Sequence, residues 1–519
     1  MKILFNLFFL LVISFLFLSC SPEQVTKPNI IFIMSDDHAE KAISAYSRKL
    51  IQTPNIDRIA KEGMLFENSY VTNSICAPSR ATMLTGKYSS LNGLRDNRDA
   101  FDGSQQTFIK LLKANGYQTS IIGKWHLKTK PTGFDNWRIL TGQGSYYNPR
   151  FWENGDTNKY IGYTTNLITD FAIEELENRD KKKPFVMLIH HKAPHRNWMP
   201  HPKYFDVFDS VDILLPETFY DDYKTRKPAS EADMRINDMY LSFDLKLTKG
   251  NYKNETGTGG NATFAKNAGK NWMNTLNNLT EEQRNAWNTY YNKVNIDFKK
   301  QKLSGDKLLR WKYKRYMHDY LSCILSVDES VGKILKYLDD HDLAENTIVV
   351  YTSDQGFYLG EHGWYDKRWM YEESFRTPLL IRYPKKVAPN SVSNNFVMNV
   401  DYAPTFLDYA GVDIPSDIQG ESLKPILEGN NPTRWRKSMY YHYYEYPHGW
   451  HKVHKHYGIR TERYKLIYFY GIDTWELFDL ERDPNELNNI YEEMKSSKLV
   501  NNLKAELDSL KIKYHDINE

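Results

Sequence analysis

Cysteine is scarce in this chain: three residues in 519, at positions 20, 76 and 323. So few thiols exclude a disulfide framework, which needs a denser set of pairs even in an oxidising compartment. An excess of charge of one sign is also missing. Lys and Arg number 68 against 65 Asp and Glu, for a net charge of +3. Bulk electrostatics therefore offers nothing to a polyanion, and nucleic acid is not an expected partner. Any positive field must be local. Beyond the first twenty residues no stretch reaches the roughly 18 apolar residues a membrane span needs. There is no internal repeat.

What is present begins with an exception to the last absence. "MKILFNLFFLLVISFLFLSC" carries one lysine and then an apolar run ending at Leu18-Ser19-Cys20, the pattern of an export signal rather than of a folded helix. It resembles a bacterial lipoprotein signal, which implies that residues 1–20 are a signal peptide and that Cys20 carries lipid. The mature protein would then be exported, touching a membrane only through that anchor, at the outer membrane or in the periplasm.

Of the two remaining thiols, Cys323 lies in "YLSCILSVDESVGKILKYL", where Ile324, Val327, Val331, Ile334 and Leu338 recur at helical spacing; it reads as a core residue. Cys76, in "SICAPSRATMLTGK", has no such periodicity around it.

Four short apolar runs end in polar clusters: Ile30 to Met34 before Asp36 and Asp37, Thr119 to Ile122 before Gly123 and Lys124, Phe185 to Ile189 before His190, and Ile348 to Tyr351 before Asp354 and Gln355. Such runs, without alternation and interleaved with helical patterns such as "TPNIDRIAKEGM" and "QTFIKLLKANGY", predict buried parallel strands of an α/β sheet. Ligands bind such sheets outside the carboxyl ends of the strands, where all four clusters fall. Between about 205 and 309 the chain turns Gly-, Asn-, Lys- and Thr-rich with weak helical segments on either side, predicting a loop-rich insertion. From about Thr433 short aromatic segments and a last helical pattern predict a small antiparallel sheet packed on the main domain. The expected division is a catalytic domain over 28–430, with the insertion at about 205–309, and a C-terminal subdomain over 431–519.

The candidate site is built from separated groups: Asp36 and Asp37, Cys76 with Arg80, Lys124 with His126, His195 in "HHKAPHRNW", and Asp354, Gln355 and Lys367. Carboxylates and an amide oxygen suit Ca²⁺ or Mg²⁺, and no close Cys/His set is arranged for zinc. Calcium is the expected cofactor. Arg and Lys around it would hold a tetrahedral oxyanion, and histidines are the natural proton carriers near neutral pH. Taken singly, each group has a bland reading as a cap, a solvated charge or a structural histidine. His190, His191 and His362 keep that structural reading.

"Cys76-Ala-Pro78-Ser79-Arg80" followed by "ATMLTGKY" matches the C-x-P-S-R signature, and the chain resembles the formylglycine-dependent sulfatases. The likeness runs through "PNIIFIMSDD", "GKWH", "APH", "TSDQG", "DK" and "RTPLLIRYP", in that order. It implies an alkaline-phosphatase-like α/β fold with a large mixed, mostly parallel sheet between helices, plus a small C-terminal antiparallel sheet. It implies that Cys76 is oxidised to formylglycine (3-oxoalanine) by a formylglycine-generating maturation enzyme. Asp36, Asp37, Asp354 and Gln355 would hold the calcium, joined by the modified side chain at Cys76; Gln355 stands where many relatives have Asn. Arg80 would stabilise the aldehyde hydrate, and Lys124 and Lys367 would bind sulfate oxygens. One hydroxyl of the hydrate would attack sulfur while His195 protonates the departing sugar oxygen; His126 would deprotonate the other, which expels sulfate and restores the aldehyde.

Aromatic residues make up 14% of the chain, with 37 tyrosines. The crowded polar segment "HGWHKVHKHYGIR" holds Trp450, His451, His454, His456 and Arg460 and is expected to project over the sulfate pocket, with His456 and Arg460 touching the sugar. "GQGSYYNP", "APHRNWMP" and "DKRWMYEESFRTPLL" resemble the branch of N-acetylglucosamine-6-sulfatases and ulvan-active polysaccharide sulfatases. A sulfated carbohydrate is the expected substrate. Two other readings stay open: a phosphate or phosphonate monoester hydrolase of the same superfamily, told apart by aryl phosphate turnover, and a glycan-binding surface lipoprotein whose Cys76 is never matured.

Overall fold

The computed structural model describes residues 27–517, apart from 154, 249, 251–261 and 431. The expected signal peptide and Cys20 lie outside the described residues.

Ten strands form the central sheet: β1 (Asn29–Ser35), β2 (Met64–Phe66), β3 (Gln118–Lys124), β4 (Asn136–Leu140), β5 (Arg150–Glu153), β6 (Asp156–Lys159), β7 (Phe185–His190), β8 (Thr347–Ser353), β9 (Leu379–Arg382) and β10 (Ser391–Ser393). Their order is β10-β2-β9-β8-β1-β7-β3-β4-β5-β6. The middle, from β8 through β1, β7 and β3 to β4, is parallel, while β9, β5 and β6 run antiparallel to their neighbours.

All seven residues of β1 are buried, because helices cover both sheet faces; a strand in that position reads as one apolar run rather than an alternation. Successive side chains still point to opposite faces. Ile31 and Ile33 join one core with α1 (Pro54–Lys61), α4 (Thr164–Asn178) and the 36-residue α7 (Gly305–Asp340). Ile30 and Phe32 join a second core with α2 (Cys76–Thr85), α3 (Phe108–Ala114) and α8 (Tyr402–Tyr409). Cys323 is fully buried in the first core, as its helical spacing predicts. Among the described residues no helix is long and apolar enough to cross a membrane.

The insertion is more ordered than its composition predicts. It holds α5 (Ala262–Asn277) and the 21-residue α6 (Glu281–Gln301), and α7 begins at its end. Polar residues dominate α6, yet Trp287, Tyr291 and Phe298 keep helical spacing and are buried. A Thr280/Gln283 capping box starts that helix. A few aromatic anchors thus hold a helix whose sequence reads as only weakly helical.

At the C-terminus β11 (Ser438–Tyr443), β12 (His456–Thr461), β13 (Tyr464–Phe469) and β14 (Thr474–Asp479) form an antiparallel meander in that order. It shares a third core with α9 (Lys498–Lys513) and with Tyr70, Trp364, Trp369, Tyr371 and Phe375 of the main sheet unit.

Candidate active site

Parallel register brings the four predicted clusters to one edge. Ser35 pairs with Ser353, Met34 with His190, and His190 with Gly123. Asp36 and Asp37, Lys124, His190 and Asp354 therefore leave four adjacent strands side by side. Gly123 makes the close approach feasible: its φ is +103°, and a Cβ there would sit 2.0 Å from the carbonyl oxygen of His190.

Cys76 is the first residue of α2 and is 1% exposed. Its Sγ donates to Asp36 Oδ1 at 3.4 Å. Burial pushes the thiol well above its usual range against the pull of Lys124 and Lys367. As an encoded cysteine it is a protonated thiol and not an activated nucleophile. One helical turn on, Arg80 donates through Nη2 and Nε to Asp354 Oδ2 at 2.9 and 3.2 Å and through Nη1 to the Lys124 carbonyl at 2.9 Å. Ser79 Oγ donates to the Asp354 carbonyl and receives Asn399 Nδ2 at 2.9 Å. Two consecutive residues of "CAPSR", Ser79 and Arg80, are thus locked to Asp354 in the loop after β8.

Lys124 Nζ pairs with Asp36, and Lys367 Nζ donates to both oxygens of Asp37 at 2.6 Å. Asp36, Asp37 and Asp354 can each place an oxygen within 4.8 Å of the other two. Gln355 Nε2 donates to Asp37, while its Oε1 is buried with no hydrogen-bond partner among the described residues. Three carboxylates and an orphaned amide oxygen are the hard-donor set that a divalent cation takes. Burial pushes the Asp37 carboxyl up to about 6, opposed by Lys367, and the Asp354 carboxyl up to about 7, helped by Asp36. Lys124 instead holds Asp36 well below the carboxylate range despite its burial. Three cations balance three carboxylates, so a divalent ion would leave a net positive hole for an anionic ester.

His195 Nε2 lies 3.8 Å from Asp37 Oδ2, and a ring nitrogen of His195, Cys76 Sγ and an Asp36 oxygen all fall within 4.8 Å of one another. Its Nδ1 donates to the Arg196 carbonyl at 2.6 Å, which leaves Nε2 for the reacting groups. Burial lowers its proton affinity against the pull of Asp36. His126 follows Lys124 in a left-handed conformation (φ +58°), its Nδ1 buried and without a partner among the described residues. Burial and Lys124 keep it neutral, the state a base requires.

Cys76 opens onto a cavity of about 560 Å³. Its walls are the loops at Asn97–Arg98, 143–146 and 192–199, the insertion residues Phe243, Phe264 and Thr275, the pair Asp366 and Arg368, and Glu445, His448 and Trp450. Lys192 and Arg196 bracket His195 in sequence, and Asp366 and Arg368 bracket Lys367; position beside a recognised motif was the available signal. For Phe243, Phe264 and Glu445 the sequence carries none.

The expected sugar contacts need correcting. The segment before β12 does reach the pocket through His448 and Trp450, but His456 and Arg460 do not line it. β12 is an interior strand, so His456 is fully buried; its Nδ1 donates to the His454 carbonyl at 2.8 Å and its Nε2 accepts from the Met370 amide at 3.2 Å. Arg460 donates to Glu372 at 3.3 Å and to the Thr461 carbonyl at 2.7 Å, over the Phe396 ring. Both pack the C-terminal sheet to the main unit. The polarity that suggested an exposed loop is satisfied internally.

Comparison with known proteins gives a match to the sulfatase family over residues 28–412 and to the C-terminal part of N-sulphoglucosamine sulphohydrolase over 360–513. The chain belongs to the sulfatase family. This sulfatase is 49% identical to an N-acetylglucosamine-6-O-sulfatase of Bacteroides thetaiotaomicron, over 95% of this chain and 88% of that protein. It is 26% identical to an ulvan-active sulfatase of Formosa agariphila, over 96% and 85%. A solved structure of a protein in complex with its substrate, D-glucosamine-2-N,6-O-disulfate, superposes with a TM-score of 0.89 at 49% identity, covering 95% of this chain and 99% of that one. The enzyme hydrolyses sulfate esters, and its fold is the alkaline-phosphatase-like sulfatase fold. Sulfatases of this family generally use a formylglycine and a divalent metal; the placement of Cys76 and the four oxygen donors fit both.

Proposed function

We propose that this sulfatase removes the 6-O-sulfate of N-substituted glucosamine from sulfated glycans, with Ca²⁺ as its metal and formylglycine at position 76. The supporting observation is a pocket of sugar size whose floor is Cys76, set among Lys124, Lys367, Arg80 and His195. A relative 49% identical over nearly the whole chain acts on N-acetylglucosamine 6-sulfate. Oxygen-only donors favour calcium over softer metals.

Formylglycine supplies, as its hydrate, an oxygen nucleophile that no encoded side chain offers, and the metal supplies positive charge at the ester oxygens. Lys124 and Lys367 hold the sulfate where charge redistributes during transfer, preorganised by the carboxylates they already bind. Arg80 fixes the side chain at 76 through its own anchor on Asp354. His195 faces the leaving oxygen with Nε2; an anionic ester between it and the lysines raises its affinity for the proton that it gives to the sugar alcohol. His126, neutral and without a partner for Nδ1 among the described residues, takes up the proton when sulfate is expelled. Phe264 and Trp450, with ring centroids 5.0 Å apart, form an apolar wall for one sugar face.

Export with lipid at Cys20, location at the outer membrane or in the periplasm, and maturation by a formylglycine-generating enzyme belong to the same proposal. Sulfate release, measured by ion chromatography, tests the substrate. The panel is N-acetylglucosamine 6-sulfate, glucosamine 2-N,6-O-disulfate and ulvan oligosaccharides, with formylglycine at 76 verified by mass spectrometry. Release from the glucosamine sulfates, lost in Cys76→Ala, is expected. Release from ulvan alone would overturn the sugar assignment, and turnover of aryl phosphate over aryl sulfate would overturn the reaction.

A further inference from the structure

Arg196, the residue after His195, joins four parts of the molecule. Its side chain is 7% exposed, and Nε and Nη2 donate to Asp244 Oδ1 and Oδ2, each at 2.7 Å. Asp244, in the insertion, is fully buried; its Oδ2 also receives the Tyr240 amide at 2.9 Å, and its carbonyl receives Lys246 Nζ at 2.5 Å. Around the guanidinium stand five rings at 5.2 to 5.9 Å: Tyr240, Phe243 and Phe264 of the insertion, Tyr365 two residues before Lys367, and Trp450 of the C-terminal part. The carbonyl of this same residue receives His195 Nδ1.

A bidentate fork on a carboxylate resists rotation, and aromatic faces resist displacement of the cation. The end of the Arg196 side chain is therefore fixed in the insertion, while its main chain fixes the tautomer and direction of the His195 ring. A misaimed proton donor is costly, since displacement by about 1 Å can reduce a rate about 10²-fold.

We propose that Arg196 and Asp244 are positioning residues: their caged ion pair holds the Arg196 carbonyl against Nδ1 of His195 and so aims Nε2 at the leaving sugar oxygen. The insertion thereby acts on the chemistry as well as walling the pocket. This rests on His195 as the proton donor to the leaving alcohol.

The test uses the dependence on leaving group. A sugar alkoxide needs its proton, whereas 4-nitrophenolate departs without one. With matured enzyme, kcat/KM is measured for N-acetylglucosamine 6-sulfate and for 4-nitrophenyl sulfate in wild type, His195→Ala, Asp244→Asn and Arg196→Lys, with thermal unfolding recorded for each. His195→Ala is expected to lose far more activity on the sugar sulfate than on the aryl sulfate. Asp244→Asn and Arg196→Lys should show the same split on a smaller scale, about 10- to 100-fold on the sugar and about threefold or less on the aryl ester. A split in His195→Ala but equal losses, or none, in the other two overturns the positioning role. Equal losses in His195→Ala itself overturn the proton-donor reading beneath it. Should Asp244→Asn fail to fold, Arg196→Lys, which keeps a cation in the cage, decides alone.

Discussion

Asp37 and Asp354 carry the residue-scale consequence of a site assembled from buried charge. Their carboxyls are pushed up to about 6 and about 7 because burial disfavours the anion and neighbouring carboxylates add repulsion. A divalent cation needs them ionised, so it competes with protons. Both are raised, so the protein without metal takes up protons as pH falls through 7 and then 6, and metal affinity falls in that window. Calorimetric titration with Ca²⁺ at pH 7.5, 6.5 and 5.5 should show weakening affinity and net proton release at pH 6.5; an affinity flat across the range would contradict the ligand set. Gln355→Leu should weaken binding at every pH, because it removes the orphaned Oε1 without changing charge. At this scale the sequence was highly legible. Asp36, Asp37, Cys76, Arg80, Lys124, Asp354 and Gln355 stand at strand ends and in one helix, with His195 and Lys367 in loops beyond them, and short motifs name all nine as candidates without a structure. His456 and Arg460 were misread because nothing in a polar segment reveals whether its partners are solvent or other buried groups.

Elements decide how near those residues come. β3 and β7 approach through Gly123, where any Cβ would strike the His190 carbonyl and where φ is positive. Gly123→Ala combines backbone strain with overpacking, each about 1–3 kcal/mol. Chemical unfolding should report a loss of about 3 kcal/mol or more, and activity should fall further because Lys124 ends the same strand. The helix bearing Cys76 has a gentler version of the same dependence. Gly86 caps α2 at φ +65°, with Ile418 and Ala403 against the place of a Cβ, so Gly86→Ala should cost about 1–3 kcal/mol by the same measurement. Strand and helix periodicity made these elements legible in outline. The helices of the insertion read only as weak segments, since α6 shows a few aromatic anchors among polar residues and its stability comes from what they pack against.

For the whole molecule, the third core matters most. It interleaves Trp364, Trp369 and Tyr371 of the main unit with Tyr440, Ile459 and Leu477 of the C-terminal sheet, and buried polar groups cross the same boundary: Lys465 pairs with Glu372 at 2.9 Å and Arg460 with Glu372 at 3.3 Å. Separating the sheet would strand an uncompensated buried charge as well as aromatic surface, and a broken buried pair costs about 3–5 kcal/mol. The two units are therefore expected to unfold together. Far-ultraviolet circular dichroism of the whole chain and the fluorescence of Trp475, isolated by Trp→Phe changes elsewhere, should give coincident denaturant midpoints. A separate earlier transition at Trp475 would show the C-terminal sheet to be an independent domain.

By itself the sequence determined the reaction and named the candidate nucleophile precursor and metal donors, because that chemistry demands particular residue types within a few positions of recognisable motifs. Tertiary structure alone decided which groups wall the pocket around them. Arg196, Phe264 and Glu445 come from three separate segments of the chain. Their meeting depends on how the insertion and the C-terminal sheet pack over the parallel-strand edge, and no local pattern in the chain encodes that packing.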